Sequence, residues 1–342
     1  MNNHDILIIV LQILAVGVLV ILNGFFVAAE FALVKLRDTQ LEPLVVKGQR
    51  RARMARRVVN NLDGYGLFQP GMEKRIVPVV GDLAAERLGL TFDQFAELSE
   101  KIDLIFHCAA LVNYIYPYSV IKPSTVGGTQ EIIRFACTST TKPIHYVSSN
   151  GIFPNNGHGL YPETGDIDIF ADELKDGYGQ AKWVSEKLIW EAISRGLPAC
   201  LYRPGNIGFH SVSGKGNPRD LQGMIIDACS KVGYAPSDVN WRFEMTPVDT
   251  LVKAIVRFAA APSHYGRVYN IVQQDTVPVR TVFDLLLDMN LISGYTPVAK
   301  WKSRLDTWAN ETGDFVLSLL AQSLDDVESQ LSNSGRFDCS NF

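Results

Sequence analysis

Polar and apolar positions divide the chain at about residue 65. From Ile6 to Ala29, 24 residues pass without a charge, "ILIIVLQILAVGVLVILNGFFVAA", with Gln12 and Asn23 as the polar interruptions. A helix needs about 20 apolar residues to cross a bilayer core, so the run predicts a single membrane-spanning helix with Glu30 near the interface. A secretory signal peptide is the alternative, although the run is long for one and lacks a basic start; a buried soluble helix is another. Lys35, Arg37, Lys47, Arg50, Arg51, Arg53, Arg56 and Arg57 follow, and the positive-inside bias then puts the C-terminal side in the cytoplasm. "RRARMARRV" reads as a cationic helix that favours anionic lipid, or equally as a solvated basic face.

At "NNLDGYGLFQPG" Gly, Pro and Asn interrupt any helix and mark a boundary. Beyond it, short β-branched runs alternate with amphipathic ones. Strands are expected at 75–83 ("RIVPVVGDL"), 103–110 ("DLIFHCAA"), 142–149 ("KPIHYVSS") and 198–207 ("PACLYRPGNI"), and helices at 92–102, 127–139 and 179–196, the last closed by Gly196. This alternation implies an α/β fold, a doubly wound parallel sheet covered on both faces. The chain divides accordingly into a membrane and juxtamembrane segment (1–62) and an α/β body.

Composition narrows the function. Residues 1–60 hold eight Lys/Arg against four Asp/Glu, out of 32 and 36 in the whole chain, so the front is basic and the body acidic. An acidic body argues against nucleic acid as a partner, because phosphate binding needs a basic surface. The five cysteines are far apart with no C-x-x-C, and no two histidines stand in an H-x-x-x-H pair. Neither a disulfide framework nor a metal site is expected.

The candidate chemistry lies in "GYGQAKWVSEK", where Tyr178 precedes Lys182 by one helical turn and shares its face. A phenol of ordinary pKa about 10 is a poor acid or base at neutral pH, and a nearby ammonium favours its phenolate. Tyr178 would then protonate a carbonyl oxygen as hydride reaches the carbon, with Ser149, at the end of an expected strand, hydrogen-bonding that oxygen. The spacing alone is weak, for Tyr118 and Lys122 in "YPYSVIK" match it too. What distinguishes Tyr178 is the strand ending in Ser148-Ser149 upstream of it. In parallel sheets ligands collect at the carboxyl ends of strands, where Asp82 and Leu83, Ala109 and Ala110, Ser148 and Ser149, and Pro204 to Ile207 all fall.

The ordered series "RIVPVVGDLAAERLGL", "IDLIFHCAALVNYIYPYSVIKPSTVGGTQEIIRFA", "HYVSSNGIF", "GYGQAKWVSEKL", "LYRPGNIGFHS", "MTPVDTLVKAIV" and "GRFDCSNF" resembles the thioester reductase domains that end nonribosomal peptide synthetases and carboxylic acid reductases. These are extended short-chain dehydrogenase/reductases; the resemblance covers residues 65–342 and implies an incomplete NADP-binding Rossmann-like domain (63–210) and a substrate-binding part interleaved with the last strands (211–342). It implies NADP(H)-dependent reduction of an acyl thioester, carried on a phosphopantetheine arm or on CoA, to an aldehyde or alcohol. Ser149, Tyr178 and Lys182 take the catalytic positions. Asp82, Leu83, Ala109, Ala110, Tyr178, Lys182, Pro204, Gly205, Asn206 and Ile207 take cofactor-contacting ones. Two departures stand out. Thr125 replaces an Asn that assists the Lys, and no G-x-x-G-x-x-G turn with its strand and helix precedes residue 65, so the first βαβ unit of the sheet is missing from the pattern. Residues 5–59, by contrast, resemble the start of the membrane domain of CorC/CNNM-type magnesium and cobalt transporters. Two functions therefore stay open: a membrane-tethered reductase, and a catalytically impaired chimeric or truncated reductase body acting as a membrane-anchored interaction module.

Overall fold

The computed structural model describes residues 50–113, 116–154, 159–217, 220–332 and 335–342. The apolar run Ile6–Ala29 lies outside the described residues, among which no helix is long and apolar enough to cross a membrane.

The first described element is helix α1, Arg50–Gly64. Val58 and Leu62, one turn apart, are buried along with Arg56, so part of this basic helix is packed rather than solvated. Lys215 Nζ donates to Gly64 O at 3.0 Å and holds its end. Helix α2 (Phe92–Lys101) starts at a capping box, in which Thr91 and Gln94 each accept the other's backbone N–H.

Four parallel strands follow in chain order and in spatial order: β1 (Ile105–His107), β2 (Ile144–Val147), β3 (Ala199–Pro204) and β4 (Val268–Ile271). Ile144 lies opposite Ile105 and Ala199, and Tyr202 lies opposite Tyr269. Because side chains alternate along a strand, each face needs its own cover. Ile144, Tyr146, Leu201 and Val268 pack under α2, α3 (Gly128–Cys137) and α4 (Gly177–Ser194), through Phe95, Phe135 and Ile189. Cys200, Tyr202, Tyr269 and Ile271 pack on the other face.

Helix α5 (Leu221–Val232) is capped by Asp220, whose carboxylate accepts from Gln222 N and Gly223 N, and ends at Gly233 with φ 75°. Helix α6 (Val248–Ala259) covers the second face of the sheet through Leu251, Ile255 and Phe258. Helices α7 (Val279–Asp288), α8 (Val298–Thr312) and α9 (Phe315–Ser332) join α5 around Trp241, Phe283, Trp301, Leu305 and Leu320 in a second core. The C-terminal residues return to the sheet: Arg336–Phe337 pairs with Leu160–Tyr161, and Asn341 Nδ2 donates to Val268 O of β4 at 3.0 Å.

One expected strand does not form. Residues 76–82, after a 3₁₀ turn at Met72–Arg75, pair with no other strand among the described residues, and Val77 is 81% exposed. The physical reason is the lack of a neighbour. In a 3-2-1-4-5-6 sheet the strands at 75 and 103 are separated by the two strands that the sequence pattern lacks, and a single extended segment has no ladder to join. The same gap leaves β1 at the edge of the described sheet.

Candidate active site

The site is built where β2 ends and α4 begins. Ser148 is buried; Ser149 follows, caps the short 3₁₀ turn Asn150–Ile152, and accepts Gly151 N–H on its Oγ at 3.0 Å. Asp176 caps α4 by accepting Gly179 N–H at 2.7 Å. Glycines let this helix start come close: a Cβ at Gly177 would lie 2.5 Å from Tyr118 N and 2.6 Å from Pro117 C. Tyr178 and Lys182, on the first turns of α4, are 8% and 3% exposed.

Ser149 and Tyr178 lie on either side of Gly151, and Lys182 is tied to the strand that leads into Ser149. A Cβ placed on Gly151 would stand 3.2 Å from Ser149 Oγ and 3.9 Å from Tyr178 Cε1. Lys182 Nζ donates to Val147 O, two residues before Ser149, at 2.8 Å and lies 5.0 Å from the centre of the Tyr146 ring. Burial lowers the Lys182 ammonium to about 8, against the pull of the Glu186 carboxylate. At neutral pH it keeps its charge. The same burial pushes His107 down to about 3, helped by the Lys182 charge, and Cys108 up to about 12, so Lys182 carries the positive charge of this layer.

The remaining candidates are placed unevenly about the carboxyl ends of β1, β2 and β3. Ala110 packs against Ile121, Val126, Tyr178 and Ala181, and Ala109 beside it is half-buried. Pro204 ends β3 next to β2; Gly205 N donates to Ile271 O at 3.1 Å, while Asn206 and Ile207 are exposed. Asp82 is exposed and closes its own turn, accepting Ala84 N–H at 2.9 Å; Leu83 sits against Gly128 at the start of α3, 3.1 Å from where a Cβ there would stand. These two lie on the unpaired segment rather than at the end of a sheet strand. Thr125 is buried, and its Oγ1 accepts Leu111 N–H at 3.3 Å, which ties down the loop after β1. The second Tyr-x-x-x-Lys pair forms the short helix Tyr118–Lys122, with Lys122 Nζ 6.0 Å from the Tyr118 ring centre.

Two groups escaped the sequence reading. Glu186, a turn beyond Lys182, accepts Ser148 Oγ at 2.5 Å and forms an ion pair with Arg203 of β3 at 2.5 Å, both side chains at 1% exposure or less. Arg203 also donates to Pro162 O and Glu163 O. The (i, i+4) spacing of Lys182 and Glu186 was a readable sign of a shared face; the Arg203 partner was not. Glu244, buried at the Pro204–Ile207 loop, had no motif to mark it.

A parallel sheet with a Ser and a Tyr-x-x-x-Lys pair at its strand ends defines an oxidoreductase of the extended short-chain dehydrogenase/reductase class. The chain belongs to the NAD-binding family described as male sterility protein, whose profile matches residues 33–255. That match begins upstream of residue 62, so the basic segment before the body is included in it. The chain is 38% identical over 259 residues to glycine betaine reductase ATRR of Emericella nidulans, covering 75% of this chain and 20% of that protein. It is 37% identical to the non-canonical nonribosomal peptide synthetase FrzA of a Cladobotryum species, covering 75% and 26%, and 35% identical to aldehyde reductase lnaA of Aspergillus flavus, covering 69% and 23%. It thus spans about a quarter of the length of these relatives. Among solved structures, the terminal R domain of the myxalamid PKS-NRPS pathway superposes with a TM-score of 0.77 at 34% identity, covering 86% of this chain and 74% of that one. The R domain of a Mycobacterium tuberculosis nonribosomal peptide synthetase shares the fold, with a TM-score of 0.64 at 24% identity, covering 84% and 73%. The transporter-like resemblance of residues 5–59 is carried by the sequence alone and lies largely outside the described residues.

Proposed function

We propose that this chain reduces an acyl thioester, held on a carrier protein's phosphopantetheine arm or on CoA, to an aldehyde or alcohol with NADPH as the reductant. The observation that carries this reading is that Ser149 and Tyr178 lie on either side of Gly151 with Lys182 tied to β2, beside the Pro204–Ile207 loop. The R-domain structure at 34% identity supports the substrate class.

The crevice fits a nicotinamide cofactor at its reactive end. Gly151 leaves the space between Ser149 and Tyr178 free of a side chain, and an ammonium has three N–H donors, of which Lys182 places one on Val147 O. Lys182 and Tyr178 would hold the nicotinamide ribose, Asp82 and Leu83 the adenine end, and Ala109, Ala110 and Pro204 to Ile207 the walls between. Bound NADPH supplies the hydride. Ser149 Oγ donates a hydrogen bond to the substrate oxygen and stabilises its developing charge. Tyr178 gives that oxygen its proton, and the Lys182 ammonium steadies the phenolate left behind. The tetrahedral adduct then collapses: its C–S bond breaks, its hydroxyl proton returns to the Tyr178 phenolate, and the thiolate leaves to be protonated by solvent, giving the aldehyde; an alcohol requires a second NADPH. Thr125 Oγ1 accepts Leu111 N–H and keeps its own O–H to donate; a hydroxyl in place of the family's Asn amide would give an attenuated proton relay.

The test is NADPH oxidation by the purified full chain with an acyl-CoA and with an acyl-loaded carrier protein, alongside NADPH and NADH binding. Turnover with either thioester supports the reading; a folded sample that neither binds nor oxidises NADPH overturns it. We further infer that Ile6–Ala29 anchors the body on the cytoplasmic face of a membrane. Its motivation is the 24-residue uncharged run followed by basic residues, and a full chain that stays in solution when mixed with anionic phospholipid vesicles would refute it.

A further inference from the structure

Glu244 lies outside every motif of the reductase pattern, yet it is 6% exposed and sits against the loop that follows β3. Its Oε2 accepts Asn206 N–H. Its Oε1 accepts Thr246 Oγ1 at 2.7 Å and Gln273 N–H at 3.0 Å. Two backbone amides and a hydroxyl thus converge on one carboxylate, a group that only accepts when ionised. Gly205 is shaped to this arrangement: a Cβ there would collide with the carboxylate. The loop strand Ile207–Gly208 is in turn paired with Thr246–Pro247, two residues beyond Glu244. These contacts link the loop, through Asn206, to the segment 244–246 and to Gln273, two residues beyond β4. Burial pushes its carboxyl above the usual range, against the downward pull of the hydrogen bonds it accepts.

We propose that Glu244 is a positioning residue, whose carboxylate clamps the Pro204–Ile207 loop and thereby sets that wall of the cofactor crevice. The proposal rests on the NADPH reading above and names a determinant of cofactor affinity within it. Glu244→Gln isolates the effect because it keeps the volume. An amide has one acceptor oxygen, so if it serves Thr246 and Gln273 its NH₂ faces the Asn206 N–H, donor against donor, and the loop loses its hold. Gln222→Met is the control: it removes a bond to the Glu244 carbonyl, 2.7 Å from Gln222 Nε2, without touching the loop.

The experiment measures amide hydrogen exchange at Asn206, the NADPH dissociation constant, and KM against kcat for wild type, Glu244→Gln, Glu244→Asp and Gln222→Met. In Glu244→Gln the Asn206 amide exchanges faster and NADPH binds about tenfold more weakly, the scale of one charge-assisted hydrogen bond, while kcat at saturating NADPH stays near wild type. Glu244→Asp keeps the charge and falls between the two, and Gln222→Met retains wild-type affinity. Unchanged Asn206 exchange, unchanged affinity, or a loss of kcat with KM intact in a folded Glu244→Gln overturns the clamp. So does equal weakening in Gln222→Met, and failure of both Glu244 variants to fold reduces the residue to a fold-stabilising one. Wild type that binds no NADPH sinks the functional reading itself, whereas wild-type binding matched by Glu244→Gln sinks the clamp alone.

Discussion

Replacing Lys182 by Met should make the protein more stable at neutral pH while abolishing reduction. The Lys182 ammonium is 3% exposed, and burial lowers it from the usual 10.5 to about 8. Each pH unit of that drop is worth about 1.4 kcal/mol, so carrying the charge at pH 7 costs the native state about 3 kcal/mol. Met fills a similar volume without a charge. Against this stands the lost bond from Nζ to Val147 O, whose removal costs about 1–3 kcal/mol when the acceptor is left unsatisfied. The Met variant should therefore be more stable by about 1 kcal/mol at pH 7. Between pH 8 and 10.5 the unfolded chain still holds the lysine proton and the native state does not, so wild-type stability rises through this window. The variant has no such group. Its advantage should shrink by about 3 kcal/mol over the window and change sign, leaving the wild type the more stable at pH 10.5. Urea unfolding of both proteins at pH 7, 8.5 and 10 measures the difference, in which all other titrating groups cancel. Parallel stability curves across that range would refute the claim that Lys182 is held charged in a desolvated site.

Tyr178→Phe should leave the unfolding midpoint close to wild type and lower kcat by about 10²–10⁴-fold, the usual worth of a positioned proton donor; a variant retaining full turnover would remove Tyr178 from the chemistry. Glu186→Gln should destabilise the fold by about 3–5 kcal/mol, because Arg203 is left as a buried charge without its partner; a loss below about 1 kcal/mol in urea unfolding would mean that water or another group replaces it. Gly177→Ala drives a methyl into the backbone of 117–118 and should cost about 1–3 kcal/mol, read as a lowered Tm with reduced turnover as α4 shifts. Unchanged melting and turnover would show that the helix start is looser than its contacts imply.

The parts legible in the sequence were those with local periodicity. The strands at 103–110, 142–149 and 198–207 appear as β1, β2 and β3, shortened at their ends, and the expected helices appear as α2, α3 and α4. Ser149 follows the end of β2 and Tyr178 and Lys182 lie on the first turns of α4, as the strand end and the helix start in the pattern implied. The segment 75–83 was misread because its β-branched pattern is that of a strand, and pattern reports a residue's preference without the neighbour that a ladder requires. The Asp82–Leu83 turn consequently stands apart from the sheet it was expected to end.

Sequence by itself determined the alternating α/β order and the helical face shared by Tyr178 and Lys182. These depend on spacing along one element, which is written locally. Only the tertiary structure decided that Glu186 meets Arg203 across 17 residues and that Glu244 closes on Asn206 across 38. A buried carboxylate is stable only where distant donors converge on it, and that convergence belongs to the packing of β3 against its neighbours rather than to any run of residues.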